Sequence, residues 1–247
     1  MSQLVLKIIA VLTMLIDHAG LIFFPQYRIF RILGRLAFPI FAYCIAEGFL
    51  YTRNKLKYFS RVLVLGVLCQ LVYDIAEGDI YLGILITFSI SIIIMYFADC
   101  FKKAFAGDNS SVSTLIKKIT KVSVSLTADR IISGALLAMS VAAAFVLTMY
   151  VEVDYGFFGI MLPVFTSLYS DKTRRFFMFT AGLIALCLYN VYCGSMIQLW
   201  SLFTVPILAL YNGRPGKYRL KYFFYIFYPA HLAILYLIDM IIKGGLW

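Results

Sequence analysis

The chain reads as an all-α protein, a polytopic bundle of about nine transmembrane helices with its N-terminus in the cytoplasm. Three observations carry that reading. Of 247 residues, 63% are hydrophobic and 14% charged, and the mean hydropathy is +0.91. Long apolar runs follow one another along the whole chain. The basic residues collect in every second connection between those runs. An ordinary soluble domain holds roughly 45–50% apolar and about 25% charged residues. A core of this length could not hide the surplus, which excludes a soluble enzyme, a nucleic-acid-binding module and a disordered chain. The net charge of +10 does not argue for nucleic acid, because it sits where a membrane protein places its orienting charges.

A helix crosses ~30 Å of hydrocarbon with about 20 mostly apolar residues. The runs predict spans at Leu4–Phe24, Ile29–Tyr51, Phe59–Ala76, Ile80–Phe101, Ile131–Val151, Tyr155–Tyr169, Phe176–Val191, Met196–Tyr211 and Tyr222–Ile242. The sixth, seventh and eighth are short. Pro163 and Pro206 are candidate kinks, each removing one backbone bond. The first run is too long for a signal peptide and is interrupted by Asp17-His18. The one long connection, 102–130, is a cytoplasmic basic loop in which Ser113–Val124 reads as an amphipathic helix on the membrane surface. No repeat or second domain is visible, so residues 1–247 form a single transmembrane domain. Of the five cysteines, all but Cys193 lie in or beside apolar runs. There is no CxxC, so neither a disulfide framework nor a metal site is expected.

Orientation follows from the lysines and arginines. Lys7, the 2–3 connection (Arg53, Lys55, Lys57, Arg61), the 4–5 connection with Arg130, the 6–7 connection (Lys172, Arg174, Arg175) and the 8–9 connection (Arg214, Lys217, Arg219, Lys221) hold eighteen of the twenty-two. The opposite connections carry Glu77, Asp79, Glu152 and Asp154, with Lys243 near the end. Arg28, Arg31 and Arg35 are the exceptions, positive charges on the side the rule disfavours.

An ionisable residue inside a span is costly and points to function by default. Asp17 lies seven residues before the end of the first span, ~10 Å deep at helix rise, and Arg35 lies six residues into the second, ~9 Å deep. With a short turn between the spans, Asp17, His18 and Arg35 share one layer, and Arg31 sits one turn above Arg35. His231 is near the midplane of the last span, while Asp154 and Asp239 approach the surface. Asp17 and His18 are neighbours about 100° apart on a helix, so Asp17 cannot orient His18. An acid from another helix is expected there. Charges at one depth can also simply pair helices, and that reading stays open.

The blocks Leu15-Ile16-Asp17-His18, Gly34-Arg35-Leu36-Ala37-Phe38-Pro39, Ala46-Glu47-Gly48-Phe49, Asp154-Tyr155-Gly156, Tyr211-Asn212-Gly213-Arg214 and Phe227-Tyr228-Pro229-Ala230-His231 resemble the TraX family in order and over nearly the whole chain. The 212–216 stretch lacks that family's acidic residue. The family is named for acetylating the N-terminus of conjugative pilin and is distantly similar to integral-membrane acyltransferases of cell-surface sugars. The resemblance therefore implies a multi-pass protein of the inner (cytoplasmic) membrane. It would use acetyl-CoA or another short acyl-CoA as donor, with no metal, and a peptide, pilin or cell-surface glycan as acceptor.

On that implication His18 is the first choice of base and His231 the second. Arg35, then Arg31, supplies positive charge, and Asp17 or Asp154 orients a histidine or pairs an arginine. Arg53, Glu47, Arg214 and Asn212 are expected at the donor site, with Glu47 either pairing Arg53 or lining the donor's path. Tyr155, Tyr225 and Tyr228 are candidate ligand contacts, though interface anchoring suits each as well. A small transporter or flippase, or a non-catalytic assembly factor with an arginine-lined pocket, are the readings from other classes.

Overall fold

The computed structural model describes residues 1–77, 81–121, 123–217 and 221–243. Asp79 and Arg219 of the sequence reading, and the side chains of Glu77, Lys221 and Tyr225, lie outside the described residues. The helices are α1 (Gln3–Phe23), α2 (Arg28–Gly34), α3 (Ala37–Tyr51), α4 (Lys55–Glu77), α5 (Ile84–Ala106), α6 (Ser111–Thr120), α7 (Leu126–Tyr150), α8 (Gly156–Ser167), α9 (Lys172–Tyr192), α10 (Thr204–Ala209) and α11 (Lys221–Ile242). A 3-10 segment, Ile197–Phe203, leads directly into α10. Two short strands, β1 (Tyr81–Leu82) and β2 (Glu152–Val153), pair in parallel.

Six helical stretches are long and apolar enough to cross a membrane: α1, α2–α3 together, α4, α5, α7 and α9. Three shorter apolar stretches, Gly156–Ser167, Ile197–Ala209 and Ile226–Ile242, fall where short or ninth spans were expected. The chain is an all-α helical bundle and a multi-pass membrane protein. Its large apolar side chains split between a buried core and an exposed set that includes Leu12, Val64, Leu68, Ile131, Met139 and Ile241. Exposed apolar helix faces of that extent suit lipid rather than water.

Each helix end has a local cause. Ser110, Ser125 and Asp171 cap α6, α7 and α9 by accepting the amides of Ser113, Ala128 and Arg174. Side-chain acceptors satisfy amides that the first turn leaves open. Gly107 closes α5 with φ +89°. The expected surface helix exists as Ser111–Thr120 and ends at Lys121, whose φ is +60°. The second span is not continuous. It breaks at Arg35-Leu36, between α2 and α3.

The core packs α3, α5 and α8 around α1 and α9, with Phe38, Tyr43, Phe49, Phe88, Ile92, Ile160 and Phe179 buried. Ser91 on α5 donates to the carbonyl of Ile160 on α8 at 2.7 Å. In a bilayer such a bond fixes two helices that have no hydrophobic drive to separate from lipid. The bundle has two ends. One carries the N-terminus of α1, the C-termini of α3, α5 and α8, and most of the lysines and arginines. The other carries the α1–α2 turn, the strand pair and the residues discussed next.

Candidate functional site

At the end opposite the basic one, a cavity of about 370 Å³ opens between α1, α2–α3, α4, the Asp154-Tyr155 turn and α11. Asp17, His18, Arg31, Arg35, Asp154 and Tyr155 all line it. The layer read from helix rise is therefore present, and two further elements join it.

Asp17 is the charge centre. Its Oδ2 accepts from Arg31 Nη1 at 2.8 Å and from Arg35 Nη2 at 3.3 Å. One carboxylate facing two guanidinium groups leaves the trio with a net positive charge. Gly34 makes the arrangement possible, because a Cβ there would overlap the Asp17 carboxylate. Arg35 is the deeper arginine, and its Nε is buried without a hydrogen-bond partner among the described residues.

Tyr155 closes the wall beside Arg35, whose guanidinium carbon lies 5.6 Å from the Tyr155 ring centre. That ring stacks on Phe38 at 3.8 Å and 9°. Tyr155 has φ +61° and Gly156 φ +58°. A tyrosine in the left-handed region is strained by about 1–3 kcal/mol, and the stack and the strand pair hold it there. The pair places Asp154 as well: its amide donates to Leu82 O at 2.9 Å, and its carbonyl accepts from Thr87 Oγ1 at 3.1 Å. The Asp154 carboxyl bonds the Tyr81 side chain, and burial pushes it up to about 6. Neither the strand pair nor Tyr81 was read from the sequence, because two-residue strands leave no periodicity.

The histidines meet. His18 Nδ1 lies 2.9 Å from Met14 O and 3.4 Å from His231 Nε2. His231 Nδ1 lies 3.0 Å from Phe227 O, and the Phe227 ring stacks on it at 5.1 Å and 5°. A ring nitrogen facing a carbonyl carries its proton. Both Nδ1 atoms therefore donate along their own helices. His231 Nε2 keeps a lone pair for the His18 Nδ1–H, and His18 Nε2 keeps the free one. The acid expected to orient His18 is replaced by a backbone carbonyl and a second imidazole.

Of the residues expected at a donor site, Glu47, Asn212 and Arg214 gather around the first residues of the chain, and Arg53 stands apart from them. Glu47 is buried and does not pair with Arg53, which is exposed at the α3–α4 turn. Its Oε1 instead accepts from Arg175 Nη2 at 3.2 Å, and its Oε2 from Tyr211 OH at 2.8 Å and Gln3 Nε2 at 2.9 Å. Tyr43 OH accepts from Arg175 Nε at 3.2 Å. The cause is position: Glu47 on α3 faces α9 and the first turn of α1, not the turn that follows α3. Arg175 is 1% exposed, a site that sequence reasoning assigned to the orienting charges. Asn212 and Arg214 are exposed, and their backbone bonds hold the first residues of the chain: Asn212 N to Met1 O at 2.9 Å and Gln3 N to Arg214 O at 2.8 Å. Asp239 pairs with Lys243 at 2.8 Å.

The TraX protein family model matches residues 2–239. The chain belongs to the TraX family. A relative described as a probable fimbrial assembly protein FimC, serogroup H1, of Dichelobacter nodosus is 26% identical over 251 residues, covering 95% of this chain and 94% of that protein. An uncharacterized protein, RP591, of Rickettsia prowazekii (strain Madrid E) is 39% identical over 69 residues, 28% of this chain and 26% of that one. No solved structure matches. Four of the six sequence blocks that carried the TraX resemblance line or brace the cavity (Asp17-His18, Gly34-Arg35, Asp154-Tyr155-Gly156 and Tyr228 to His231), while Glu47 and Tyr211 of the other two meet each other away from it.

Proposed function

We propose that this TraX protein is a membrane acyltransferase. It moves an acetyl or other short acyl group from acyl-CoA to an amine or hydroxyl of an acceptor at the membrane, a pilin-type peptide N-terminus being one candidate in view of the fimbrial relative. The observation that carries the reading is the histidine pair, which leaves His18 with a fixed tautomer and a free Nε2 at a cavity that also holds Arg35.

The chemistry balances with these groups. His18 Nε2 takes the proton from the acceptor N–H or O–H as that atom bonds to the thioester carbonyl carbon. The carbonyl oxygen becomes an oxyanion, and Arg35, already positive and partly desolvated, stabilises it. Collapse breaks the C–S bond, and the departing thiolate receives the proton from His18. Asp17 holds Arg31 and Arg35 at fixed positions, which keeps the positive charge preorganised. Arg31 lies nearer the mouth and holds an anionic part of donor or acceptor.

Release of free CoA thiol from acetyl-CoA by the purified protein tests this, with His18→Ala beside wild type. A loss of about 10²–10⁴-fold in the variant is expected for removal of a general base, with melting temperature unchanged. No turnover and no acetyl-CoA binding in wild type would turn the reading toward a transporter or an assembly factor.

A further inference from the structure

A second cleft, of about 250 Å³, lies at the basic end between the C-terminal turns of α3, α5 and α8. Tyr169 lines it and is 42% exposed. Two cations lie beside the Tyr169 ring: Lys102 Nζ stands 5.7 Å from its centre and the Arg174 guanidinium carbon 5.8 Å. Lys55 lies at the rim, over the ring of Phe49, another lining residue.

The charges here are unbalanced. Asp99 lines the cleft, but Lys103 already pairs with it at 2.9 Å. Lys102 donates to Leu168 O and Lys55 to Phe49 O, so their partners are neutral helix-end carbonyls. Among the described residues, Lys55, Lys102 and Arg174 have no carboxylate within ion-pair distance, and Asp99 is a single carboxylate shared by Lys55, Lys102 and Lys103. An exposed aromatic ring beside two cations is suited to a ligand that is both planar and polyanionic. The ring stacks a base and the cations meet phosphates. A membrane-anchoring tyrosine needs neither a cleft nor two charges beside it.

The position matches the proposed reaction. The same helices reach the His18 cavity at their other ends. On α3, Phe41 lines the cavity and Phe49 the cleft. Their eight-residue separation is ~12 Å of helix. On α5, Leu85 and Met95 play the same parts, ten residues or ~15 Å apart. That is a span an extended pantetheine arm covers.

We infer that this cleft is the binding site for the nucleotide half of the acyl-CoA donor, with Tyr169 stacking the adenine and Lys102, Arg174 and Lys55 holding phosphates. The inference rests on the acyltransferase reading. It gives the donor's phosphates cations other than the expected Arg53 and Arg214.

Equilibrium binding of coenzyme A to the full-length protein in detergent tests it. Tyr169→Ala should weaken binding about ten- to a hundred-fold, the range for loss of one base–aromatic stack, and Tyr169→Phe should retain it. Lys102→Gln should weaken binding and reduce its salt dependence. Lys243→Gln, a charge change on an exposed residue at the end of α11 that lines neither the cleft nor the cavity, should bind as wild type does. Equal binding by all variants would overturn the cleft and leave the acyltransferase reading standing. No binding of coenzyme A by wild type would overturn that reading and the cleft together. Should Tyr169→Ala fail to fold, Lys102→Gln decides: unweakened binding with an unchanged salt dependence would overturn the cleft.

Discussion

His18 on α1 and His231 on α11 meet edge to face, with ring centres 5.1 Å apart and planes inclined at 63°. Their contact ties the first helix of the bundle to the last. The pair is asymmetric, since His231 accepts while His18 donates and keeps the free nitrogen. In the proposed mechanism His231 acts through His18, as a positioning residue.

Replacing His231 should therefore lower kcat without moving the KM for acetyl-CoA. Loss of a partner that fixes ring orientation costs on the order of 10–100-fold where such shells have been measured. His231→Gln, which retains an acceptor near the His18 Nδ1–H, should recover part of the rate lost in His231→Phe. Steady-state kinetics on both variants check this. A drop in His231→Phe as deep as that of His18→Ala would make His231 a base in its own right.

Gly34→Ala is the sharpest probe of the arginine cluster. The added methyl overlaps the Asp17 carboxylate, so Asp17 must leave Arg31 and Arg35 or the α1–α2 packing must open. Overpacking of this kind costs about 1–3 kcal/mol. Activity should fall by at least ten-fold with a lower melting temperature, while coenzyme A binding at the basic end stays intact. Ordinary kinetics in Gly34→Ala would show that the Asp17 contact is dispensable.

Much of the fold is legible in the sequence because lipid demands it. A spanning helix must be apolar on nearly every side, so the runs from Leu4, Ile29 and Ile131 announce themselves. Depth along a helix is also legible, which is why Asp17 and Arg35 could be placed in one layer. Pairings between distant helices are not. Nothing local to Glu47 indicates Arg175, 128 positions away, because Arg175 also satisfies the positive-inside pattern. Its one signal is Arg174-Arg175 at the edge of a run, where two adjacent residues must face different surroundings. The strand pair that carries Asp154 is too short to have a pattern. The meeting of His18 with His231 depends on how α11 docks, which no local rule decides.

The Glu47–Arg175 pair is almost fully enclosed, with side chains 3% and 2% exposed. Removing one partner of a buried pair strands the other charge and costs about 3–5 kcal/mol, whereas replacing both can be nearly neutral. Glu47→Gln and Arg175→Met should each lower the thermal midpoint in detergent sharply. The double variant should fall less than the sum of the two, because Gln and Met leave no unpaired charge. Strict additivity in this cycle would mean that the two side chains do not interact. Neither single change should alter the KM for acetyl-CoA in the fraction that remains folded, because both side chains are enclosed where Glu47 braces α3 against α9.

Asp154 gives the stability a pH dependence of definite sign. It lies between β2 and α8, outside the spanning helices, and burial raises its carboxyl from 3.8 to about 6. For an acid the raised value means that the folded state prefers the protonated form. The stabilisation is complete below about 3.8 and is lost as pH rises through about 6. Other carboxylates titrate in the same interval, so the informative quantity is the difference between wild type and Asp154→Asn. The amide mimics the protonated acid and stays neutral. The variant should gain stability relative to wild type as pH increases from 4 to 7, on the order of a few degrees in melting temperature per kcal/mol. A constant difference across that range would mean that the Asp154 carboxyl titrates normally and that the Tyr81 contact does not depend on its proton.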